Sequence, residues 1–550
     1  MQQKNIWSYL NHPRTGAILE VLIIIVLAMV PALLSMPYKV GIYLSWEGAY
    51  RISEGQIPFR DFGLPMGGYY WVIPAVFFKL FGPTLISLSK AQVFINILAG
   101  LAFRSILKSL SVASAIRISG IIIFCLSYSF RNYWPWYNHT VIVFGFIALA
   151  FLLRGLFAGS SKKAHINLLL AGTFTYISFF TKQDGGGLIF FICLFLVLYT
   201  SWLEKKWSYT LLYLASFAVL SACTVLYFSQ WDFHYWFNYG QPPHNARVDK
   251  SDILNTFFVD SSWLRFYVFI TLVLVYWKYK DLKSFISDKQ YMIFLLLTMG
   301  ILCMAAIYQV TSYTPEECNI FFHAFAYVFI ISNMVLLFPA RSGGLKFSVL
   351  MVAGAFLLWS QTYWLHIKRL FIHSNQVTTH MTSPSGENVV NMHNAITYRK
   401  DPNFIDMSQW VFTDLPTLKR VKVPPPTAEG IKRLMAMDVV KNTKDIKVLN
   451  MSELTTLAKE IPYKLEAGPG YPLWYHLGVG MFNREAEMFE KKIKENYYDL
   501  VLFEDLPELN NFYPYRVQKV LQEHYEKVDA FLAPRSTVQG FIEVYVKKQQ

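Results

Sequence analysis

Long apolar runs recur from residue 17 to residue 366, and this recurrence constrains the fold more than any other feature of the chain. About twenty apolar residues are needed to cross a hydrocarbon core as a helix, a form that satisfies its own backbone hydrogen bonds where water is absent. Such runs lie near 17–36, 87–107, 118–131, 140–155, 166–181, 186–203, 209–228, 263–277, 291–308, 320–338 and 347–366. They predict a polytopic α-helical membrane protein with about eleven transmembrane helices. Composition agrees, since 54% of the residues are hydrophobic and only 16% are charged.

The formal net charge of +14 would suggest nucleic acid in a soluble protein, but here it follows the loops. Arg104, Lys108 and Arg117, then Arg154, Lys162 and Lys163, Lys205 and Lys206, Lys278 to Lys289, and Arg341 with Lys346 fall in alternate connections. The positive-inside rule therefore puts the N-terminus and these loops in the cytoplasm and excludes a nucleic-acid partner. The opposite face receives 44–82, 131–139, 230–262, 309–319 and the C-terminal tail. The first run lacks a small-residue cleavage site and reads as a retained helix. Cys125, Cys193, Cys223 and Cys303 lie inside apolar runs without a CxxC pair, which indicates neither a zinc site nor a disulfide framework.

Residues 69–81, YYWVIPAVFFKLF, are apolar but too short to span, and they read as a juxtamembrane helix in the first outer loop. Past 366 the apolar runs stop. Three regions follow: a transmembrane domain over 1–366, a loop-rich linker over 367–426 ending in Pro424, Pro425 and Pro426, and a small extracytoplasmic α/β domain over 427–550. In the last, helix-like stretches at 431–440, 483–496 and 515–525 alternate with strand-like runs at 447–450, 499–504 and 540–546.

Of the 36 acidic residues, about 14 precede residue 367, and most of these fall on or near the predicted outer face. The stretch 44–82 concentrates Glu47, Glu54 and Asp61 with Arg51 and Arg60 beside aromatic rings. A carboxylate held in a partly desolvated place suits proton abstraction from an acceptor hydroxyl, and arginine offers a two-pronged fork to a phosphate. Glu47 and Asp61 are thus the candidate acid/base residues, with Arg51 and Arg60 as candidate phosphate ligands; Arg51, four positions after Glu47, could instead pair with it on one helix. Tyr137, Asn138 and His139 follow an aromatic loop and could stack on a sugar or merely anchor the interface. Lys182 and Gln183 precede Asp184 and three glycines at a helix boundary, where Lys182 could hold a phosphate or pair with Asp184. His244 and Arg247 lie in the 230–262 loop, which could cover a groove. No spacing of His, Cys, Asp and Glu defines a metal site; a divalent cation stays open, and no other cofactor is expected.

The first loop, WEGAYRISEGQIPFRDF followed by GGYYWVIPAVFFKLFG, resembles the GT-C glycosyltransferases related to bacterial protein O-mannosyltransferases and the lipid A aminoarabinose transferase. YNHT at 137–140 and FFTKQDGGG at 179–187 resemble segments of the same relatives. The resemblance covers about the first 200 residues. It implies a GT-C fold in a bacterial inner membrane, a polyprenyl-phosphate-linked sugar as donor, inversion by direct displacement, and a glycan, lipid or protein acceptor. The family's first acidic position falls on Trp46, which leaves Glu47 and Asp61 to share the base role. An O-antigen ligase or polymerase type, a transporter or flippase, and a non-catalytic membrane scaffold are the rival readings. Few acids in mid-span argue against ion coupling.

Overall fold

The computed structural model describes residues 13–39, 41–129, 132–231, 233, 236, 254, 262–312, 320–337, 345–358, 405–473, 482–506, 514–535 and 540–548. Each of the eleven apolar runs overlies a helix: α1 (Pro13–Leu33), α4 (Leu85–Ser109), α5 (Ser114–Ser129), α6 (Tyr137–Leu156), α7 (Ser161–Phe179), α8 (Gln183–Glu204), α9 (Ser208–Phe228), α10 (Ser262–Lys278), α12 (Lys289–Ser312), α13 (Ile320–Leu337) and α14 (Leu345–Leu358). Among the described residues, six helices are long and apolar enough to cross a membrane. The chain is a multi-pass membrane protein.

Between α1 and α4 the first loop folds into β1 (Met36–Pro37), α2 (Ile42–Ser53), a 3-10 turn at Tyr69–Trp71 and α3 (Val72–Phe81), the short apolar helix expected there. α11 (Leu282–Ser287) lies in a basic loop. The tail supplies β2 (Val411–Phe412), β3 (Val421–Val423), α15 (Pro425–Ala436), α16 (Asp438–Asn442), β4 (Val448–Met451), α17 (Leu457–Glu460), α18 (Phe482–Lys494), β5 (Leu500–Asp505), α19 (Tyr515–His524), β6 (Tyr525–Leu532) and β7 (Phe541–Lys547). Its main sheet has the order β4-β5-β7-β6, with β4 parallel to β5 and the other pairs antiparallel. The alternation read from the sequence locates three of these strands; β6, which begins where the helical stretch 515–525 ends, was not anticipated.

Two ends of the bundle differ in chemistry. At one end Glu20, fully buried in α1, accepts from Arg104 Nε and Arg117 Nε, each at 2.6 Å, and so clamps α1 to α4 and α5. Breaking a buried pair of this kind leaves an uncompensated charge and costs about 3–5 kcal/mol. At the other end stand the first loop and the tail.

Of the stretch 367–426, the described residues begin at 405. From 405 onward it is built into the fold rather than linking two parts of it. β3 pairs in parallel with β1 (Met36↔Val421, Pro37↔Lys422) and antiparallel with β2, so a three-stranded sheet joins first loop and tail. Arg420 donates from Nη1 to the Ala32 carbonyl at 2.6 Å and from Nη2 to that of Leu33 at 2.5 Å, satisfying two of the open carbonyls at the end of α1. Pro425 opens α15, a place where a missing N–H costs nothing. The first loop and the tail also share a core. A single apolar cluster runs from Trp46, Phe62 and Trp71 to Val421, Leu449, Leu454, Tyr471 and Phe503.

Gly48 shows how tightly the loop is packed. A Cβ there would meet the Trp71 indole at 2.0 Å, while Trp71 Nε1 donates to the Leu44 carbonyl at 2.9 Å and holds the ring in place. Gly48→Ala is expected to destabilise the protein by about 1–3 kcal/mol through overpacking, measurable as a lower Tm of the detergent-solubilised protein; an unchanged Tm would contradict this packing.

Candidate active site

Glu47 sits on α2, which presents Tyr43, Glu47 and Arg51 at successive four-residue steps, so the three share one face. Its Oε1 accepts both from Arg51 Nε at 2.9 Å and from Nη2 at 2.7 Å. Oε2 has no hydrogen bond among the described residues, and the residue is 9% exposed. Burial raises the Glu47 carboxyl above its ordinary 4.5, while the charge and hydrogen bonds of Arg51 oppose the rise without cancelling it. The result is a carboxylate fixed by one oxygen and open at the other.

Arg51 was a candidate phosphate ligand, and the structure commits it elsewhere. It is 1% exposed and donates from Nη1 to Gln56 Oε1 at 2.8 Å and to the Glu466 carbonyl at 2.7 Å, in addition to Glu47. Its guanidinium lies over the rings of Phe62, at 5.4 Å, and Tyr471, at 4.9 Å. The helical pairing with Glu47 anticipated from the spacing is what forms.

Asp61 has a different task. Its Oδ2 accepts the Ile57 N–H at 2.7 Å and Arg60 Nη2 at 2.6 Å, closing a tight turn in which Phe59 adopts a φ of 67°. Burial pushes the Asp61 carboxyl up, but the bonds from Arg60 and Ile57, aided by the charges of Arg60 and Arg51, outweigh it and hold the group below its usual range. Its backbone carbonyl accepts the Gly468 N–H at 2.8 Å, and Gly63 exchanges bonds with Tyr471 and Leu473. Arg60 is thereby tied to the residue beside it. A weak base that closes a turn is a poorer proton acceptor than Glu47.

A second group forms where α6 and α8 begin. Lys182, 6% exposed, bonds Asp184 Oδ2 at 2.8 Å and stands 5.7 Å from the Tyr137 ring and 5.1 Å from that of Tyr308. Both readings of Lys182 therefore keep a footing, since the pair with Asp184 exists and the ammonium also faces two rings. Tyr308, from α12, donates to the Asn138 carbonyl at 2.8 Å. Tyr70 packs 5.9 Å from Tyr137, and Tyr43 shares a helix face with Glu47, so these tyrosines connect the Glu47 and Lys182 groups.

The remaining candidates lie apart. Gln183 donates to the carbonyls of Pro65 and Trp236, at 3.2 and 3.1 Å, and ties the first loop to the start of α8. His139 points into the bundle, 3.5 Å from Gln92 Nε2 and beside Tyr128. His244 and Arg247 lie outside the described residues. Trp46 is fully buried against Tyr50 and Phe78 and donates its indole N–H to Pro83 O at 3.1 Å. It is a core residue. Among the described residues no three His, Cys, Asp or Glu side chains converge as metal ligands would.

Sequence reasoning missed Tyr43, Tyr308, Tyr463 and Glu466. Tyr43 was within reach of it, four residues before Glu47 on an evident helix. Tyr463, whose phenol accepts from Asn450 and lies within the field of Glu47 and Arg51, and Glu466 come from the tail, and nothing local connects them to the first loop.

No family model matches the chain, and no curated protein matches it. Two solved structures of ArnT from Cupriavidus metallidurans align with 97% of this chain and 98% of their own. The one bound to undecaprenyl phosphate does so at 12% identity and a TM-score of 0.47, the apo form at 13% and 0.45. Those values assign no residue a role.

If Glu47 is the working base, activity falls as pH is lowered through its raised value, because protonation removes the free lone pair; the acid limb then lies above the ordinary 4.5. Arg51→Met, which removes the opposing charge, is expected to move that limb higher still in a pH–rate profile. A limb that moves down in Arg51→Met would show that another group titrates.

Proposed function

We propose that the chain is a GT-C-type glycosyltransferase of a bacterial inner membrane, with its N-terminus cytoplasmic and its tail outside. It moves a sugar from a polyprenyl-phosphate carrier to an acceptor hydroxyl on a lipid-linked glycan, polysaccharide or protein. The observation that carries this reading is Glu47: a buried carboxylate with raised proton affinity, pinned by Arg51 through one oxygen and open at the other. The resemblance of the first loop to GT-C enzymes supports it.

In this reading Glu47 Oε2 takes the proton from the acceptor hydroxyl as its oxygen attacks the anomeric carbon. The bond from that carbon to the phosphate oxygen breaks in the same step, which inverts the centre and releases the polyprenyl phosphate with the bonding pair. Lys182 then faces the leaving phosphate, where a buried ammonium is worth far more than in water. Tyr43 and Tyr137, which are partly exposed, supply rings on which a sugar can stack. Arg51 acts through Glu47, setting its position and moderating its proton affinity. No step requires a metal.

Cells lacking the gene are expected to lose an envelope glycan or lipid species of defined mass, whose deficit names the transferred sugar. Complementation with Glu47→Gln is expected to restore at most about 1% of transfer, since a positioned base contributes about 10²–10⁴-fold. Asp61→Asn should act mainly through stability. Lys182→Met is expected to weaken undecaprenyl phosphate binding by about tenfold or more, as for a lost charged contact. Full transfer by Glu47→Gln in folded protein would refute the base assignment.

A further inference from the structure

α2 is the element that carries Glu47, and it begins at Gly41 without a side-chain cap of its own. The first N–H groups of a helix need acceptors from elsewhere. Gly41, in the left-handed region at φ 88°, donates its N–H to Glu453 Oε2 at 3.2 Å, across 412 positions of sequence. On its other side the Trp136 indole stands so close that a Cβ on Gly41 would lie 2.8 Å from it. The start of α2 is thus gripped between the tail and the loop before α6.

Glu453 is itself held on every side. Its Oε1 accepts from Arg535 Nη2 at 3.2 Å, its N–H donates to Glu504 Oε2 at 2.7 Å, and its carbonyl accepts from the Tyr38 hydroxyl at 2.5 Å. Arg535 Nε completes the set with a bond to Glu504 Oε1. Glu453, Glu504 and Arg535 are 1%, 0% and 5% exposed. Glu504 and Arg535 alone form a balanced pair. Glu453 adds a second buried carboxylate to one guanidinium, which the tail's own folding does not call for and which burial penalises. The oxygen that Arg535 leaves open goes to α2.

We propose that Glu453 is a positioning residue for Glu47: anchored by Arg535 and Glu504, it holds the first turn of α2 from the tail and so fixes where the Glu47 carboxylate stands. The proposal rests on the reading of Glu47 as the working base. Glu47 lies under two turns from Gly41, roughly 9 Å along the axis, and Tyr43, between them, faces both Glu453 and Glu47. A shift at the first turn is therefore passed to the carboxylate by a rigid helix. Tyr38, Tyr43, Glu504 and Arg535 act on Glu453 or on its two phenol neighbours, Glu47 and Tyr137 also act on Tyr43, and Arg51, Tyr43 and Tyr463 act on or are acted on by Glu47.

The test uses the full chain in detergent micelles and two readouts that need no substrate. Hydrogen exchange reports the amides of residues 41–45 against those of β5 and β7. Labelling by a hydrophobic carbodiimide, read by mass spectrometry across pH, reports the proton affinity of Glu47. In Glu453→Ala, exchange at 41–45 is expected to quicken at least tenfold while β5 and β7 stay protected, and the Glu47 labelling midpoint is expected to fall toward the ordinary carboxylate value as the site opens. Glu453→Gln, whose single amide oxygen can accept from Gly41 or from Arg535 but not from both, is expected to lie between Glu453→Ala and the wild type in both readouts. Unchanged exchange at 41–45 in Glu453→Ala would overturn the proposal, as would loosening of β5 and β7 to the same degree. Should Glu453→Ala not fold, Glu453→Asp, which keeps the charge but draws the carboxylate back from Gly41, is expected to quicken exchange at 41–45, and its failure to do so would count equally against the proposal. Absence of undecaprenyl phosphate binding to the wild type would instead overturn the transferase reading and leave these results standing.

Discussion

The guanidinium of Arg51 joins four pieces of chain that are distant in sequence or direction. It binds Glu47 on α2, Gln56 in the following turn and the Glu466 carbonyl in the tail, and it lies between the rings of Phe62 and Tyr471. A buried arginine is tolerable only when its N–H groups find acceptors and one neighbour carries the opposite charge. That requirement explains why tail and loop meet where they do. It also explains why Glu47 is at once buried and ionisable, since Arg51 offsets part of the cost of desolvating it.

The membrane part was legible because one physical rule dominates it. Hydrocarbon accepts only apolar residues with their backbone paired, so a run such as 186–203 announces α8 without help from the rest of the chain. The first loop was partly legible for a similar reason, as carboxylates are scarce before residue 367 and Glu47 and Arg51 are spaced for one helix face. Asp61 was misleading. Its composition and setting match those of Glu47, and only the turn formed by Ile57, Phe59 and Arg60 reveals that its oxygens are already engaged.

The tail was legible in its elements and not in its attachment. Strand and helix patterns are local, whereas the pairing of Val421 with Met36 depends on which residues are free to pair once the helices are in place. The same holds for Tyr308 and Tyr463. Each reaches the site from an element whose own sequence gives no reason to expect it there, and the first signal of their involvement is spatial.

The cap that Arg420 places on the end of α1 has a consequence for the order of events in synthesis. Residues 387 and 388 positions apart must meet before the first helix is finished at that end. During translation the helices enter the membrane in sequence, but the first loop has no partner for its strand and no complete surround for Arg51 until the last quarter of the chain has emerged. Contacts of such long range form late. A ribosome-bound chain therefore carries an unfinished first loop, and the protein acquires its arrangement around Glu47 only as a whole.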